Sequence, residues 1–314
     1  RARSRFRHFS TVLALAGIGA TLAFGLDPVL PVVALFVLVV PFEKLFPRHR
    51  QPIRRPHVGT DIAYALTSAP LAAAGVIIGL FLTLVSLAWL PGLALRPLVA
   101  AIPPLPQMLL GVVLFDVAIY WVHRFGHEVP LMWRFHRIHH STTHLDWVSG
   151  FRGHPFDGIL LAPAFALLLV AGFSPEFSGA LLVVQFLTGL FLHANVRWRW
   201  KPLHKVIITP EFHHWHHSNE PDARSSNYSV FLPIWDIIFG TYYMPASRRP
   251  STYGVDGPVS SGIVGQLIDP LRGVRNPIRS LRHPVAATRH VKAMVGRGLH
   301  QMAASARRPR RTTG

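Results

Sequence analysis

The sequence predicts an all-α membrane protein, a polytopic helical bundle of about four to six membrane segments with a cytoplasmic histidine-rich cap. Half of the residues are hydrophobic and the mean hydropathy is +0.32, whereas only 15% of the residues are charged. Apolar runs long enough to form membrane helices recur over the first two thirds of the chain. Histidine clusters stand beside these runs, where a helix would leave the membrane. Together these three observations favour a polytopic membrane protein over a soluble one.

The apolar runs define the candidate membrane segments. In chain order they are residues 9–26, 29–42, 63–95, 107–122, 158–173 and 177–196. The first two runs predict a helical hairpin, and Pro70 and Pro91 bracket the predicted third span. The fourth run brings His123 to the membrane surface. The last two predict either two full spans or a hairpin that enters the membrane and returns.

The basic residues predict the orientation. On an arrangement with an even number of spans, the turns near residues 27, 91–106 and 174–176 contain one of the 32 Lys and Arg residues, Arg96. The other 31 lie on the opposite side, together with both termini and every histidine cluster. Because loops rich in Lys and Arg face the cytoplasm, we predict a multi-pass protein of a bacterial inner membrane. Its metal site and both termini then face the cytoplasm.

Composition divides the chain and excludes some functions. Residues 1–245 form the predicted membrane-embedded domain, and residues 246–314 form a basic, flexible cytoplasmic tail. The net charge of +18 is split between loops and this tail, so it does not predict a nucleic-acid partner. The chain has no cysteine, which excludes disulfides, thiolate metal sites and cysteine nucleophiles.

Three histidine clusters are the main functional signal. The first has two histidines four residues apart, and the other two share the spacing i, i+3, i+4, so each cluster can occupy one helix face. The clusters are His123 and His127; His136, His139 and His140; and His213, His216 and His217. One metal that keeps a position open needs about three or four protein ligands. Eight imidazoles therefore predict two metal ions held mainly by nitrogen.

Two other metal-site templates fit less well. His127 and Glu128 begin an HExxH motif, but Leu131 occupies the place of the second histidine and Pro130 would interrupt the helix. The carboxylate di-iron bundle uses two Glu-x-x-His pairs, and this spacing occurs here only at residues 211–214.

The histidine pattern resembles that of the fatty acid hydroxylase / sterol desaturase superfamily, whose members are integral-membrane non-haem di-iron oxygenases. The family's HxxxH, HxxHH and HxxHH boxes correspond to residues 123–127, 136–140 and 213–217. The resemblance covers about residues 40–245. It extends to Asp116 and Tyr120, residues 152–155, residues 191–197, Thr209 and Pro210, Asn227 and Tyr228, and residues 235–243.

The resemblance implies two iron ions, dioxygen as co-substrate, and hydroxylation or desaturation of a membrane lipid such as a fatty acyl, sterol-like or ether lipid. It also implies a separate electron donor (a reductase, ferredoxin or cytochrome), since the sequence has no flavin or nicotinamide fingerprint. The eight box histidines are the implied ligands, with His193 as a ninth. Possible further ligands, or partners of ligands, are His154, Glu128, Asp116 and Asn227. Asp116 lies two helical turns before His123, so we predict that it accepts a hydrogen bond from a ligand histidine.

The alternative function is a metal-binding or metal-transport membrane protein without oxygenase activity. A transport pathway is expected to place ionisable residues inside several spans. Here only Asp116 and His193 lie at membrane depth in the predicted arrangement, which favours the oxygenase.

Overall fold

The computed structural model describes residues 29–52, 54–87 and 95–272, and the regular secondary structure in these residues is helical. The α-helices in these residues are α1 (Val29–Leu45), α2 (Val58–Leu87), α3 (Leu95–Ala100), α4 (Pro104–Glu128), α5 (Pro130–His136), α6 (Pro155–Ala171), α7 (Pro175–Leu192), α8 (Pro210–His216), α9 (Ile234–Ile238) and α10 (Ile263–Ile268). The described residues form two isolated β-bridges and no strand. The all-α prediction is therefore confirmed. The predicted span 9–26 lies outside the described residues.

Proline sets the start of most helices that carry the functional region. α4, α5, α6, α7 and α8 all have proline at the beginning of the helix, where its missing N–H leaves no intrahelical hydrogen bond unmade. Side chains cap three of these starts: His154 Nδ1 accepts from the Phe156 N–H, Ser174 Oγ from the Phe177 N–H and Thr209 Oγ1 from the Phe212 N–H. Gly172, at φ +101°, ends α6 in the left-handed conformation that glycine adopts without strain.

Two helices, α4 and α7, are long and apolar enough to cross a membrane by length and composition. In the most apolar stretch of each, 28% of the residues are buried inside the protein, so most of these side chains face outward. The segment Ala74–Val85 of α2 and helix α6 are shorter apolar helices. The predicted number of four to six membrane segments stays a prediction.

Helix α2 begins before the predicted third span. The sequence brackets this span with Pro70 and Pro91, and the helix runs from Val58 through residue 70 to Leu87. The polar first turn belongs to the helix because Asp61 is buried there between Arg55 and Arg152. These ion pairs join segments distant in sequence, so hydropathy alone does not predict them.

Helix α6 packs between α2 and α4 and fills the centre of the bundle. Phe115 of α4 and Phe165 of α6 meet edge to face with ring centroids 5.1 Å apart. On the other side, α2 approaches α6 through Gly79, where an added Cβ would lie 2.6 Å from the Ala162 Cβ and 2.8 Å from the Ile159 Cα. Small residues of this kind allow helix backbones to come close.

We expect the variant Gly79→Ala to lower the free energy of unfolding by about 1–3 kcal/mol, because the new methyl group must push α6 away from α2. The matched control is Gly59→Ala in the same helix, where an added Cβ has no neighbour within 4 Å. This control should leave stability unchanged or raise it by up to about 1 kcal/mol. Thermal unfolding of both variants in detergent measures the difference. Equal effects would contradict close packing at Gly79.

Part of the predicted basic tail packs against the body of the protein. Tyr253 pairs with Ser218 in a β-bridge, and its hydroxyl hydrogen-bonds to His214 Nδ1 at 3.0 Å. Asp256 forms an ion pair with Arg224 at 2.9 Å. Residues 246–272 are thus held by specific contacts and differ from a free tail, while residues 273–314 lie outside the described residues. The domain boundary at residue 245 stays a prediction.

Candidate metal centre

All nine histidines predicted as metal ligands converge at one place in the fold. They come from the end of α4, the end of α5 and the turn after it, the residue after α7, and α8 with the residue that follows it. Their ring nitrogens form two groups, and within each group the candidate ligand atoms lie within 4.8 Å of one another. The groups are His123, His127, His136, His140 and His216; and His139, His193, His213 and His217.

The two groups lie side by side. The rings of His140 and His217, one from each group, stack with centroids 4.1 Å apart. The rings of His139 and His217, within the second group, are 4.7 Å apart. Two imidazole nitrogens on opposite sides of a metal, each about 2.1 Å from it, are about 4.2 Å apart. The 4.8 Å limit within each group is close to this separation, so each group is compact enough to hold one metal ion.

Backbone carbonyls orient the rings. The Nδ1–H groups of His123, His139 and His216 donate to the carbonyls of Tyr228, Arg152 and Ser226 at 2.7, 2.8 and 2.9 Å, respectively. In this tautomer, Nε2 carries the lone pair that a metal requires. Five of the nine histidines have a buried ring nitrogen without a hydrogen-bond partner: Nε2 of His127, His136, His140 and His216 and Nδ1 of His217. Unpaired buried acceptors converging on one point are what a metal site needs before it is filled.

Burial also favours the neutral ligand form of these histidines. Desolvation is the largest cause that lowers the pKa of His140, His216 and His217 well below the usual value, and neighbouring imidazoles lower it further. A neutral imidazole binds a metal without first losing a proton. The ring nitrogens are thus ready to accept metal ions at neutral pH.

A buried ion-pair network holds in place the residue that orients His139. The Arg152 carbonyl that accepts from His139 belongs to a residue whose Nε donates to Asp61 Oδ1 at 2.7 Å. Asp61 Oδ2 also pairs with Arg55 at 2.7 Å, and Arg55 reaches Asp146 at the same distance. Asp61 is fully buried. This network was not predicted from the sequence, because its charges are isolated there and meet across about ninety residues.

Gly150 also shapes the site in a way that was not predicted from the sequence. A Cβ at this position would lie 3.1 Å from the ring of His193, so glycine allows the turn to approach the imidazole closely. The His193 Nδ1–H donates to the Gly189 carbonyl at 2.6 Å. Sequence alone offers no signal for this contact.

Asp116 has a different role from the one predicted. Its carboxylate accepts from the backbone N–H groups of Phe231 and Leu232, both at 3.1 Å, and from Trp235 Nε1 at 2.8 Å. These donors come from the segment before and in α9, and none of them is a histidine. The prediction that Asp116 accepts from a ligand histidine placed it on the correct helix face but assigned it the wrong partner.

The other three weaker candidates also lie outside the two histidine groups. Glu128 accepts from Arg124 at 2.9 Å and from the Tyr228 hydroxyl at 3.3 Å. His154 Nδ1 accepts from the Phe156 N–H at the start of α6, and its Nε2–H donates to the Leu267 carbonyl. Asn227 Nδ2 donates to the Phe212 carbonyl at 3.2 Å and to the Tyr243 carbonyl at 2.8 Å. Glu128 and Asn227 thus act on segments that carry or orient histidines.

A cavity of about 280 Å³ opens onto the histidines. Its lining includes His127, His140, His216 and His217, together with Trp133, Asn219, Arg224 and residues 254–256. Polar and apolar groups therefore both line a cavity that contacts the two histidine groups.

Comparison with known proteins agrees with this geometry. Residues 108–241 match the family model described as "Fatty acid hydroxylase". Similar proteins include the ornithine lipid hydroxylase of Rhizobium tropici, which is 34% identical over 52% of this chain and 50% of its own length. The human alkylglycerol monooxygenase is 30% identical over 46% of this chain and 32% of its own length. The sphingolipid C4-hydroxylase of Schizosaccharomyces pombe is 27% identical over 48% and 52%, respectively.

These matches cover only part of each protein. The matched stretches make up between about a third and about half of the length of these relatives. The family-model match, residues 108–241, contains all three histidine boxes. No solved structure matches this chain.

Proposed function

We propose, on the premise that residues 108–241 form a fatty acid hydroxylase domain, that this protein hydroxylates a membrane lipid with dioxygen at a pair of iron ions. The observation that carries this proposal is the convergence of nine histidines into two adjacent groups with unpaired ring nitrogens. The three relatives described above are named as hydroxylases or a monooxygenase of lipids. Their names favour hydroxylation over desaturation.

Each of the two histidine groups would hold one iron ion. His123, His127, His136, His140 and His216 would hold one ion, and His139, His193, His213 and His217 the other. Bound iron supplies the redox chemistry that attack on an unactivated C–H bond requires, which acid–base groups cannot provide. The carbonyls of Tyr228, Arg152 and Ser226 fix the orientation and tautomer of three of these rings.

The protein surface supports a membrane location. Helices α2 and α4 expose large apolar side chains, among them Phe81 at 67% and Leu109 at 56%. We propose that these helices lie in lipid in a multi-pass arrangement of a bacterial inner membrane, with the histidine groups on the cytoplasmic side. Electrons would come from a separate donor protein.

Lipid analysis after growth in ¹⁸O₂ tests the proposed reaction. In a host that carries the gene, we expect a lipid species that has gained one ¹⁸O atom, measured by mass spectrometry of total lipid extracts. The species should be absent from a host that carries the His140→Ala variant, which loses a proposed ligand. Loss of two hydrogens without ¹⁸O would indicate desaturation instead. Bound iron with no change in any lipid would favour the alternative, a metal-binding protein without oxygenase activity.

A further inference from the structure

We propose that residues 230–238, here called the insertion segment, penetrate the acyl region of the leaflet that surrounds the histidine-bearing end of α4. The segment comprises the sequence VFLPIWDII and includes α9. It is too short to cross a bilayer, so hydropathy over a spanning window does not select it. The inference rests on the proposed membrane location of α4 and is independent of the reaction catalysed.

The depth of the segment follows from its attachment to Asp116. Asp116 lies seven residues before His123 on α4, which places it about 10 Å farther along the helix axis. It accepts hydrogen bonds from Phe231, Leu232 and Trp235. Because the histidines mark the membrane surface in the proposed arrangement, this attachment places the segment about 10 Å below that surface.

The polar groups of the segment are satisfied inside the protein. A carboxylate at membrane depth and non-helical backbone both need hydrogen-bond partners that lipid cannot supply. Asp116 provides acceptors for the turn before α9. Asp236, the single charged residue of the segment, is buried and accepts from the backbone of Tyr228 and Ser229 at 2.8 Å. The segment therefore presents no unpaired charge to lipid.

The outward face of the segment is apolar and continues onto a neighbouring loop. Ile234 and Ile237 are 40% and 41% exposed. The Ile208 N–H donates to the Phe231 carbonyl at 3.0 Å, which joins the segment to the loop that carries exposed Val206. Scattered exposed apolar residues are normal on soluble proteins, whereas a contiguous group marks an interaction surface.

Basic residues border this apolar face. Their positive charge indicates that its partner is an anionic lipid leaflet. Lys201 and Lys205 are exposed in the loop that carries Val206. Each lysine near a negatively charged membrane surface contributes about 1 kcal/mol to the attraction between protein and membrane. An apolar face bordered by lysines fits acyl chains below and phosphate groups above.

Single-cysteine labelling tests this inference on the full chain, since the protein has no native cysteine. We choose Ile237→Cys in the insertion segment, Leu109→Cys on the exposed face of α4, and Asp222→Cys, whose side chain is 69% exposed on the cap. Each variant is labelled with a small fluorophore and reconstituted in bilayers of phosphatidylethanolamine and phosphatidylglycerol. Quenching by doxyl-labelled lipid reports acyl contact, and quenching by iodide reports water.

We expect the labels at positions 237 and 109 to be quenched by doxyl lipid and to be several-fold less sensitive to iodide than the label at position 222. The label at position 237 could behave like the one at 222 while the label at 109 stays in lipid. That result would contradict penetration of the insertion segment into the acyl region and would leave the placement of α4 unchanged. If iodide also reaches the label at 109, the placement of α4 and the insertion both fail. Lipid oxidation is measured separately, so neither outcome depends on it.

Discussion

Replacing His140 by alanine should remove one iron ion from the protein and abolish lipid hydroxylation. Its Nε2 is buried among the candidate ligands of the first group without another partner, and its ring stacks on His217 of the second group. Loss of a residue that only orients a ligand typically costs 10–100-fold in metal affinity or activity. We therefore expect a fall of more than about 100-fold for a direct ligand.

The measurements are iron per protein by elemental mass spectrometry and product by lipid mass spectrometry. His214→Gln provides a matched control, because His214 lies on the same helix as the third histidine box and is equally buried. Its nitrogens bond to the Tyr253 hydroxyl and the Ala194 carbonyl, outside both histidine groups. This control should keep both iron ions. Full iron content in the His140→Ala protein would show that His140 is not a ligand.

The second large effect is expected at Asp61, which neutralises Arg55 and Arg152 within the protein. Asparagine at this position keeps the shape but leaves two buried guanidinium groups without their shared carboxylate. Breaking a buried ion pair by removing one partner costs about 3–5 kcal/mol. We expect the free energy of unfolding to fall by that amount, measured by thermal unfolding in detergent.

Asp61→Asn should also weaken iron binding, because Arg152 holds the carbonyl that orients His139. The control is Asp222→Asn, which removes an exposed partner of Arg248 and should change stability by less than about 1 kcal/mol. Equal stability of the two variants would contradict a structural role for the buried network. Reduced stability with unchanged iron affinity would separate the network from His139.

The grouping of the histidines within each box could be predicted from the sequence because it depends only on local spacing. Spacings of three and four residues place the side chains on one helix face whatever the rest of the chain does. The proline residues that begin α4, α5, α7 and α8 likewise act within one turn. The interpretation as a two-metal site requires the three boxes to meet, and the nine histidines do converge.

Long-range polar contacts could not be predicted in the same way. Asp116 binds residues more than a hundred positions later, and nothing in the spacing around it identifies that partner. Helix α2 extends beyond the predicted span for a related reason. Hydropathy excludes a charged first turn, whereas the fold buries Asp61 there between two arginines. A charge that is neutralised by residues distant in the sequence cannot be recognised from local hydropathy.

Helix α4 carries both His123 and Asp116, and this shared support has a geometric consequence. In an enzyme of the proposed kind, one rigid rod would fix the height of the oxidising centre relative to the bilayer midplane. The carbon that meets this centre would then be selected by its vertical position in the leaflet. The position of the oxidised carbon would be fixed by its distance from the headgroup, and the length of the remaining hydrocarbon would matter little.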